Sequence, residues 1–339
     1  MSTIYDIAKA AGVSPSTVAR ALRGTGYCSP IKKELIINLA QSMKYSPTHS
    51  AKTLKSKRSN KILFCIPDIY NPFYFRMIKG ASDVLDTRGY FPILCHTRGQ
   101  IDLELKMIQN LSERYGDGMI LVSFNFTEKN IAAVNQCGMP VVLTNKYESA
   151  NPDDDQFDYV YIDTFEGIRL ATSTLIDLGH RRIAYIGGNQ HTQTGQERHN
   201  GYLAALLQAG IPQDPAIQMT GDYTTAGGAR AARKLLRLTS SPTAIVCAND
   251  LMAFGVLKTC RDAGVNIPKE ISLIGMDNTE SASWSYPTLT SVAMKEEEIG
   301  HYAGEFLLER IYDDRKNKRS IRLLPDIVVR DSIARCRTN

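Results

Sequence analysis

The sequence has no apolar run near the roughly 18 residues that a membrane-spanning helix needs, so a membrane partner is not expected. The opening stretch MSTIYDIAKAAG lacks the basic-then-apolar layout of a secretion signal, which makes the cytoplasm the expected compartment. Cysteine is sparse: Cys28, Cys65, Cys95, Cys137, Cys247, Cys260 and Cys336 are odd in number, scattered and never spaced as CxxC. That pattern speaks against both a disulfide framework and a zinc site, and the residues read mostly as small buried hydrophobes. Phosphate cradles of the GxGxxG or GxxxxGK[ST] type are missing, as are a GxSxG elbow and HExxH, so no enzyme, metal or cofactor is expected.

What is present is an uneven distribution of charge. Residues 1–60 carry ten Lys or Arg against two acids, a surplus of eight, so within a chain of net charge +5 the remainder is −3. A small basic head on a mildly acidic body predicts that only the head meets a polyanion.

The head reads as three short helices. In STIYDIAKAAG, Ile4, Ile7, Ala8 and Ala11 share a helical face, Thr3 is the N-cap and Gly12 the stop. VSPSTVARALRG restarts at Ser14 and Pro15, turns Val18 and Leu22 inward and ends at Gly24. A third helix starts at Ser29 and Pro30 and is expected to bury Ile31, Leu35, Ile36 and Leu39. Three helices in under 50 residues, the first two tightly linked, make a helix-turn-helix. Its second helix enters the major groove N-terminus first, which places Pro15, Ser16, Thr17 and Arg20 at the bases. Arg20 suits a bidentate contact to guanine, while the helix starts at Thr3 and Ser14, with Tyr5, Tyr27 and Ser29, are candidates for backbone phosphates.

From Lys61 onward β-rich runs (ILFCIP, FPILCH, GMILV, PVVLT, YVYID, RIAYIGG, TAIVCAND, ISLIGMD) alternate with amphipathic stretches. This predicts parallel sheets with covering helices in two lobes, and ligands beyond the carboxyl ends of the strands. The residues there are polar: Asp68, Asp163, Asn249 with Asp250, and Asp277.

TIYDIAKAAGVSPSTVARAL followed by YSPTHSAKTL resembles the lactose and galactose repressor family of bacterial transcription regulators, departing from the head pattern at Ala19, where Ser is usual. The resemblance implies an all-α helix-turn-helix head on an α/β two-lobed, periplasmic-binding-protein-like effector domain. It places the head at 1–46, a hinge helix and linker at 47–60, and an effector-binding and dimerisation domain at 61–339. Its N-lobe would hold 61–161 and 291–322, its C-lobe 162–290 and 323–339. By position it nominates Phe73, Asp163, Arg198, Tyr223, Asn249 and Asp277 as contacts of a sugar or related effector. In the hinge it gives Thr48, Ala51, Lys52 and Leu54 to DNA, with Ala51 permitting close packing of twin hinges and Leu54 wedging a base step. A homodimer on a palindromic operator is expected, since one short helix reads too few bases; some family members also use a protein corepressor. The alternative, a cytoplasmic sugar-binding protein without a regulatory role, leaves the basic head unexplained.

Overall fold

In the computed structural model, which describes residues 2–24, 26–45, 58–147, 157–313 and 315–337, Thr3 and Asp6 close a capping box at the start of helix α1 (Ile4–Ala11). The Thr3 amide donates to the Asp6 carboxylate at 2.8 Å and the Asp6 amide to Thr3 Oγ1 at 3.3 Å. Gly12, at φ +63°, ends α1 in the left-handed region that glycine alone enters cheaply. Ser14 caps α2 (Pro15–Arg23) by accepting from the Thr17 amide, and Gly24 ends it the same way. Helix α3 (Pro30–Ser42) follows Ser29, whose side chain makes no capping hydrogen bond. These helices belong to one of two compact units, Met1–Ser59, around a core of Ile7, Ala8, Val18, Ala21, Ile36 and Ala40.

The inner face of α3 differs from the expectation. Ile31 is 83% exposed and Leu35 46% exposed. Ile36 and Ala40, four residues apart, take the core, and at about 100° per residue this turns Ile31 and Leu35 outward. The hinge reading of Thr48, Ala51, Lys52 and Leu54 lies outside the described residues.

The second unit, Asn60–Asn339, contains two six-stranded sheets. Strands β1 (Lys61–Ile66), β2 (Phe91–His96), β3 (Gly118–Leu121), β4 (Val141–Leu143), β5 (Asp158–Ile162) and β11 (Ser320–Leu323) form the first, in order β11-β5-β4-β3-β1-β2 and parallel throughout. Helices α4 (Phe73–Leu85), α5 (Ile101–Ser112), α6 (Glu128–Cys137) and α12 (Glu296–Tyr312) pack around it. The second sheet has the order β12-β10-β9-β8-β6-β7, from β6 (Ile183–Gly187), β7 (Gln218–Thr220), β8 (Ala244–Cys247), β9 (Ser272–Asp277), β10 (Thr290–Ala293) and β12 (Asp326–Val328). Its helices are α7 (Thr164–Asp177), α8 (Gln193–Gln208), α9 (Thr225–Leu235), α10 (Asp250–Asp262) and the short α11 (Glu280–Trp284). All its pairings are parallel except β10 with β12.

Along β1 the side chains alternate between two cores: Ile62, Phe64 and Ile66 join α4 and α12, while Leu63 and Cys65 join α5 and α6. The chain passes between the sheets after β5, after β10 and after β11, so α12 and β11 complete a sheet begun more than 200 residues earlier. Two contacts fix α12 there. Asp158, fully buried at the start of β5, accepts from Arg310 Nε at 2.7 Å, Arg315 Nη2 at 2.7 Å and the Arg319 amide at 2.7 Å. Burial pushes its pKa up, but these donors outweigh burial and hold the carboxyl below its usual range. Where α12 crosses α4 the backbones touch: a Cβ on Gly300 would stand 1.9 Å from the Met77 carbonyl oxygen.

Because that neighbour is backbone and cannot rotate away, Gly300→Ala is expected to destabilise the second unit by about 1–3 kcal/mol. A urea unfolding midpoint equal to wild type would show that α4 and α12 separate more easily than this packing implies.

Candidate functional site

In the head, the start of α2 presents a connected row of hydroxyls. Ser14 Oγ lies 2.8 Å from Ser16 Oγ and 2.9 Å from Thr17 Oγ1, and Arg20 Nη2 donates to Thr17 Oγ1 at 3.4 Å. Ser14, Ser16 and Arg20 are exposed, as are Thr3, Tyr5 and Tyr27; Pro15, Thr17 and Ser29 are half-buried. Hydroxyl and guanidinium donors around a helix N-terminus suit phosphate oxygens and base edges. The capping box holds the Asp6 carboxyl below its usual pKa, chiefly through hydrogen bonds from Thr3.

In the second unit, five of the six nominated residues line one cavity. Phe73 starts α4, Arg198 lies on α8, Tyr223 precedes α9, Asn249 caps α10 and Asp277 ends β9. Residues beyond the carboxyl ends of the first sheet, Phe124 after β3 and Asn145 after β4, line the same cavity. Asn145 Nδ2 donates to Thr194 Oγ1 at 3.2 Å, joining a loop of the first sheet to α8. Tyr223 fills the centre. Its ring stacks on Phe124 with centroids 5.6 Å apart and planes 19° from parallel, and the Arg198 guanidinium carbon lies 5.5 Å from its centroid. The backbone of Tyr223 is left-handed at φ +61°, and its carbonyl accepts from Asn249 Nδ2 at 2.9 Å. Gly188 makes room for the ring, since a Cβ there would lie 1.9 Å from it.

The space left between these side chains is about 60 Å³. Ligand pockets usually run to about 300–1,000 Å³. Arg198 is buried and donates from Nη1 to the Ala248 carbonyl at 2.6 Å. Arg198 Nε, Tyr223 Oη and Asp277 Oδ2 are buried and hydrogen-bond to nothing else in the described protein. Burial and the adjacent Asp250 carboxylate drive the Asp277 pKa well up, against the opposing pull of Arg198. Asp277 and Asn278 both have positive φ, at 120° and 53°, so this turn is strained as well as buried.

Asp163 is elsewhere. It caps α7, accepting from the Glu166 amide at 2.9 Å, and pairs with Arg322; its neighbour Thr164 lines the cavity instead. Asp68 accepts from the Tyr70 amide in a turn. The sequence reading missed Phe124, whose surroundings carry no charge signal, and Glu104, which supports it from below. Glu104 is buried on α5 and accepts from Ser123 Oγ and Asn130 Nδ2, each at 3.0 Å. Ser123 is further held by Tyr147, whose hydroxyl donates to its carbonyl, so the Phe124 loop is pinned at its root. Among the described residues no helix is long and apolar enough to cross a membrane, and no group of three or more His, Cys, Asp or Glu is placed to hold a metal ion.

Residues 3–48 match the family described as bacterial regulatory proteins, lacI family, and residues 172–333 match the periplasmic binding protein-like domain. Catabolite control protein A of Priestia megaterium is 33% identical over 331 residues, 97% of this chain and 98% of that protein. Among solved structures, a transcriptional regulator CelR–cellobiose complex aligns with TM-score 0.74 and 28% identity over 98% of this chain and 100% of that one. The lac repressor dimer bound to operator and the anti-inducer ONPF aligns with TM-score 0.82 over 98% of this chain and 99% of that one; at 23% identity it shows the shared fold.

Burial raises the Glu104 pKa to about 7, against the lowering effect of Ser123. The folded protein therefore keeps a proton that the unfolded chain releases near its ordinary value of 4.5, and this contribution to stability falls as pH rises from about 4.5 to about 7. Glu104→Gln retains an acceptor for Ser123 and Asn130 and should gain on wild type across that window, by up to roughly 3 kcal/mol. Urea midpoints for both proteins at about pH 5 and about pH 8 check this; a pH-independent difference would mean that Glu104 is ionised throughout.

Proposed function

The chain belongs to the lacI family of bacterial regulatory proteins, and from that premise we propose that it is a homodimeric repressor that reads a roughly palindromic operator and releases or holds it according to a sugar or related metabolite in the second unit. The observation that carries this reading is the convergence of Phe73, Arg198, Tyr223, Asn249 and Asp277 on one cavity, with buried polar atoms left over from the protein's own hydrogen bonding. Arg198 offers a donor and Asp277 an acceptor or, when protonated, a donor; Phe73, Phe124 and Tyr223 offer flat faces. That combination suits a ring bearing hydroxyls. The cellobiose held by the CelR relative supports a saccharide as the class to test first.

In the head, Pro15, Ser16, Thr17 and Arg20 are assigned to the bases, with Ser16 and Thr17 serving a base edge or a phosphate, and Thr3, Tyr5, Ser14, Tyr27 and Ser29 to backbone positioning. The head is taken to end at 46, with a hinge at 47–60 where Thr48, Ala51, Lys52 and Leu54 meet the minor groove, and the effector domain to fill 61–339. A homodimer is supported by exposed apolar side chains of the second unit, Tyr70, Phe75, Trp284 and Tyr286 among them. The cytoplasm is the compartment in which such a regulator meets DNA.

Two measurements separate the halves of this proposal. In a thermal-shift screen of mono- and disaccharides, a ligand that raises the melting temperature of wild type should leave that of Arg198→Ala unmoved, each protein being compared with its own unliganded state. A ligand that stabilises both equally would place the effector elsewhere. Arg20→Ala should weaken binding to the selected operator by about 1–3 kcal/mol and relax its sequence preference while that ligand-induced shift stays intact. Wild-type affinity should fall steeply with salt, and affinity equal at low and high salt would sink the assignment of the basic head to DNA.

A further inference from the structure

Strands β1 and β2 set two cysteines face to face. In their parallel register Cys65 is paired with Cys95, and both side chains lie on the sheet face that packs with α5. Neighbouring strands run about 4.8 Å apart, inside the Cα separation of about 4.4–6.8 Å that disulfides span. The partners are unequal. Cys65 is fully buried in β1, which is flanked by β3 and β2, whereas Cys95 is half-buried on edge strand β2, within reach of small solutes. Cys95 Sγ donates to the Ile93 carbonyl at 3.5 Å, and the facing sulfurs act on one another's titration, Cys65 being raised and Cys95 lowered. An accessible thiol with enhanced thiolate character beside a second thiol is the arrangement found in oxidation-sensitive pairs. Of the other cysteines of this unit, Cys137, Cys247 and Cys260 are pushed up by burial, and Cys336 donates to the Arg337 carbonyl at 3.8 Å.

We propose that Cys65 and Cys95 form an oxidisable dithiol, at which a hydroperoxide converts the facing thiols into a disulfide that ties edge strand β2 to β1. The Cys95 thiolate attacks the terminal peroxide oxygen. The O–O bond breaks, the alkoxide or hydroxide leaves and takes up the proton lost by the thiol, and Cys95 becomes a sulfenic acid. The Cys65 sulfur then attacks the Cys95 sulfur, and the hydroxyl departs as water with the Cys65 proton. In sum, two thiols and one hydroperoxide give one disulfide, one alcohol (or water from hydrogen peroxide) and one water, with two electrons passing from sulfur to the peroxide oxygens. Bonding directly opposite residues draws the Cβ atoms closer than parallel strands normally hold them, and an edge strand, free on one side, can make that adjustment. Such a bond is readily reduced, in keeping with the transient disulfides of reducing compartments.

The test is peroxide treatment of the full-length protein, quenching with an alkylating agent, and tryptic mass mapping. The expected product is a reducible cross-link between peptides 62–76 and 89–98, with the pair losing two hydrogens. Cys65→Ser should stop the reaction at Cys95 sulfenic acid, trapped by a cyclic diketone, and Cys95→Ser should leave Cys65 in its thiol form. The wild-type map decides the matter even if the buried Cys65→Ser variant folds poorly. Wild type in which Cys95 runs on to sulfinic acid with no cross-link, or in which Cys28, Cys137 or Cys336 reacts first, would overturn the proposal.

Discussion

The cavity depends on one buried carboxylate that never reaches it. Asp250, fully buried at the first position of α10, accepts from Ser291 Oγ at 2.6 Å, from the Thr279 amide at 2.8 Å and from Thr279 Oγ1 at 3.0 Å. These bonds join the ends of β8, β9 and β10, so Asn249 on one side and the Asp277–Asn278 turn on the other are set by a common anchor. Burial raises its pKa to about 6, opposed by the hydrogen bonds from Ser291 and Thr279. Room for the carboxylate comes from Gly275, where a Cβ would lie 2.3 Å from Asp250 Oδ1. Breaking such a network by removing one partner costs more than the pair contributes, because the remaining groups stay buried without partners.

The aromatic stack answers this anchor from the opposite side. Phe124 follows β3 of the first sheet and Tyr223 follows β7 of the second, so their contact joins the two layers, as does the polar bridge from Asn145 to Thr194. On the proposed reading, a ligand large enough to use Arg198 and Asp277 together has to displace or part the aromatic pair, which would couple the stacking and the left-handed backbone at Tyr223 to occupancy.

Much of this was legible in the residues. The caps at Thr3 and Ser14 and the stops at Gly12 and Gly24 are local chemistry, and each appears as the sequence implies. All eight apolar runs became strands, seven of them because a parallel sheet covered on both faces demands continuous hydrophobicity, whereas FPILCH became the largely exposed edge strand β2. The strands that escaped notice, β7, β10, β11 and β12, are three or four residues long and mostly polar or alternating, so nothing local separates them from loops. Ile31 and Leu35 were misread because a helix with apolar residues around much of its circumference does not declare which face the core will take. Asp163 shows the limit most clearly: an Asp after a strand suits a cap and a ligand equally, and only the tertiary placement of Arg322 settles its contacts.

The glycine-mediated contact between α4 and α12 has a consequence for how the protein is made. A ribosome emits the chain from its N-terminus, so β1 to β5 and α4 emerge well before the residues that finish their layer. Helix α12 and strand β11 belong to that first sheet, yet β11 ends at Leu323, about 160 residues beyond β5; at about 5–20 residues per second this is a wait of roughly 8–30 s. Throughout it the face of α4 bearing Gly80 has no partner, and the β5 edge that β11 will cover stands open. The second sheet is spared this delay for all but its last strand, β12. The layer begun first is completed almost last, and its nascent form is the part of this chain most in need of shelter while it waits.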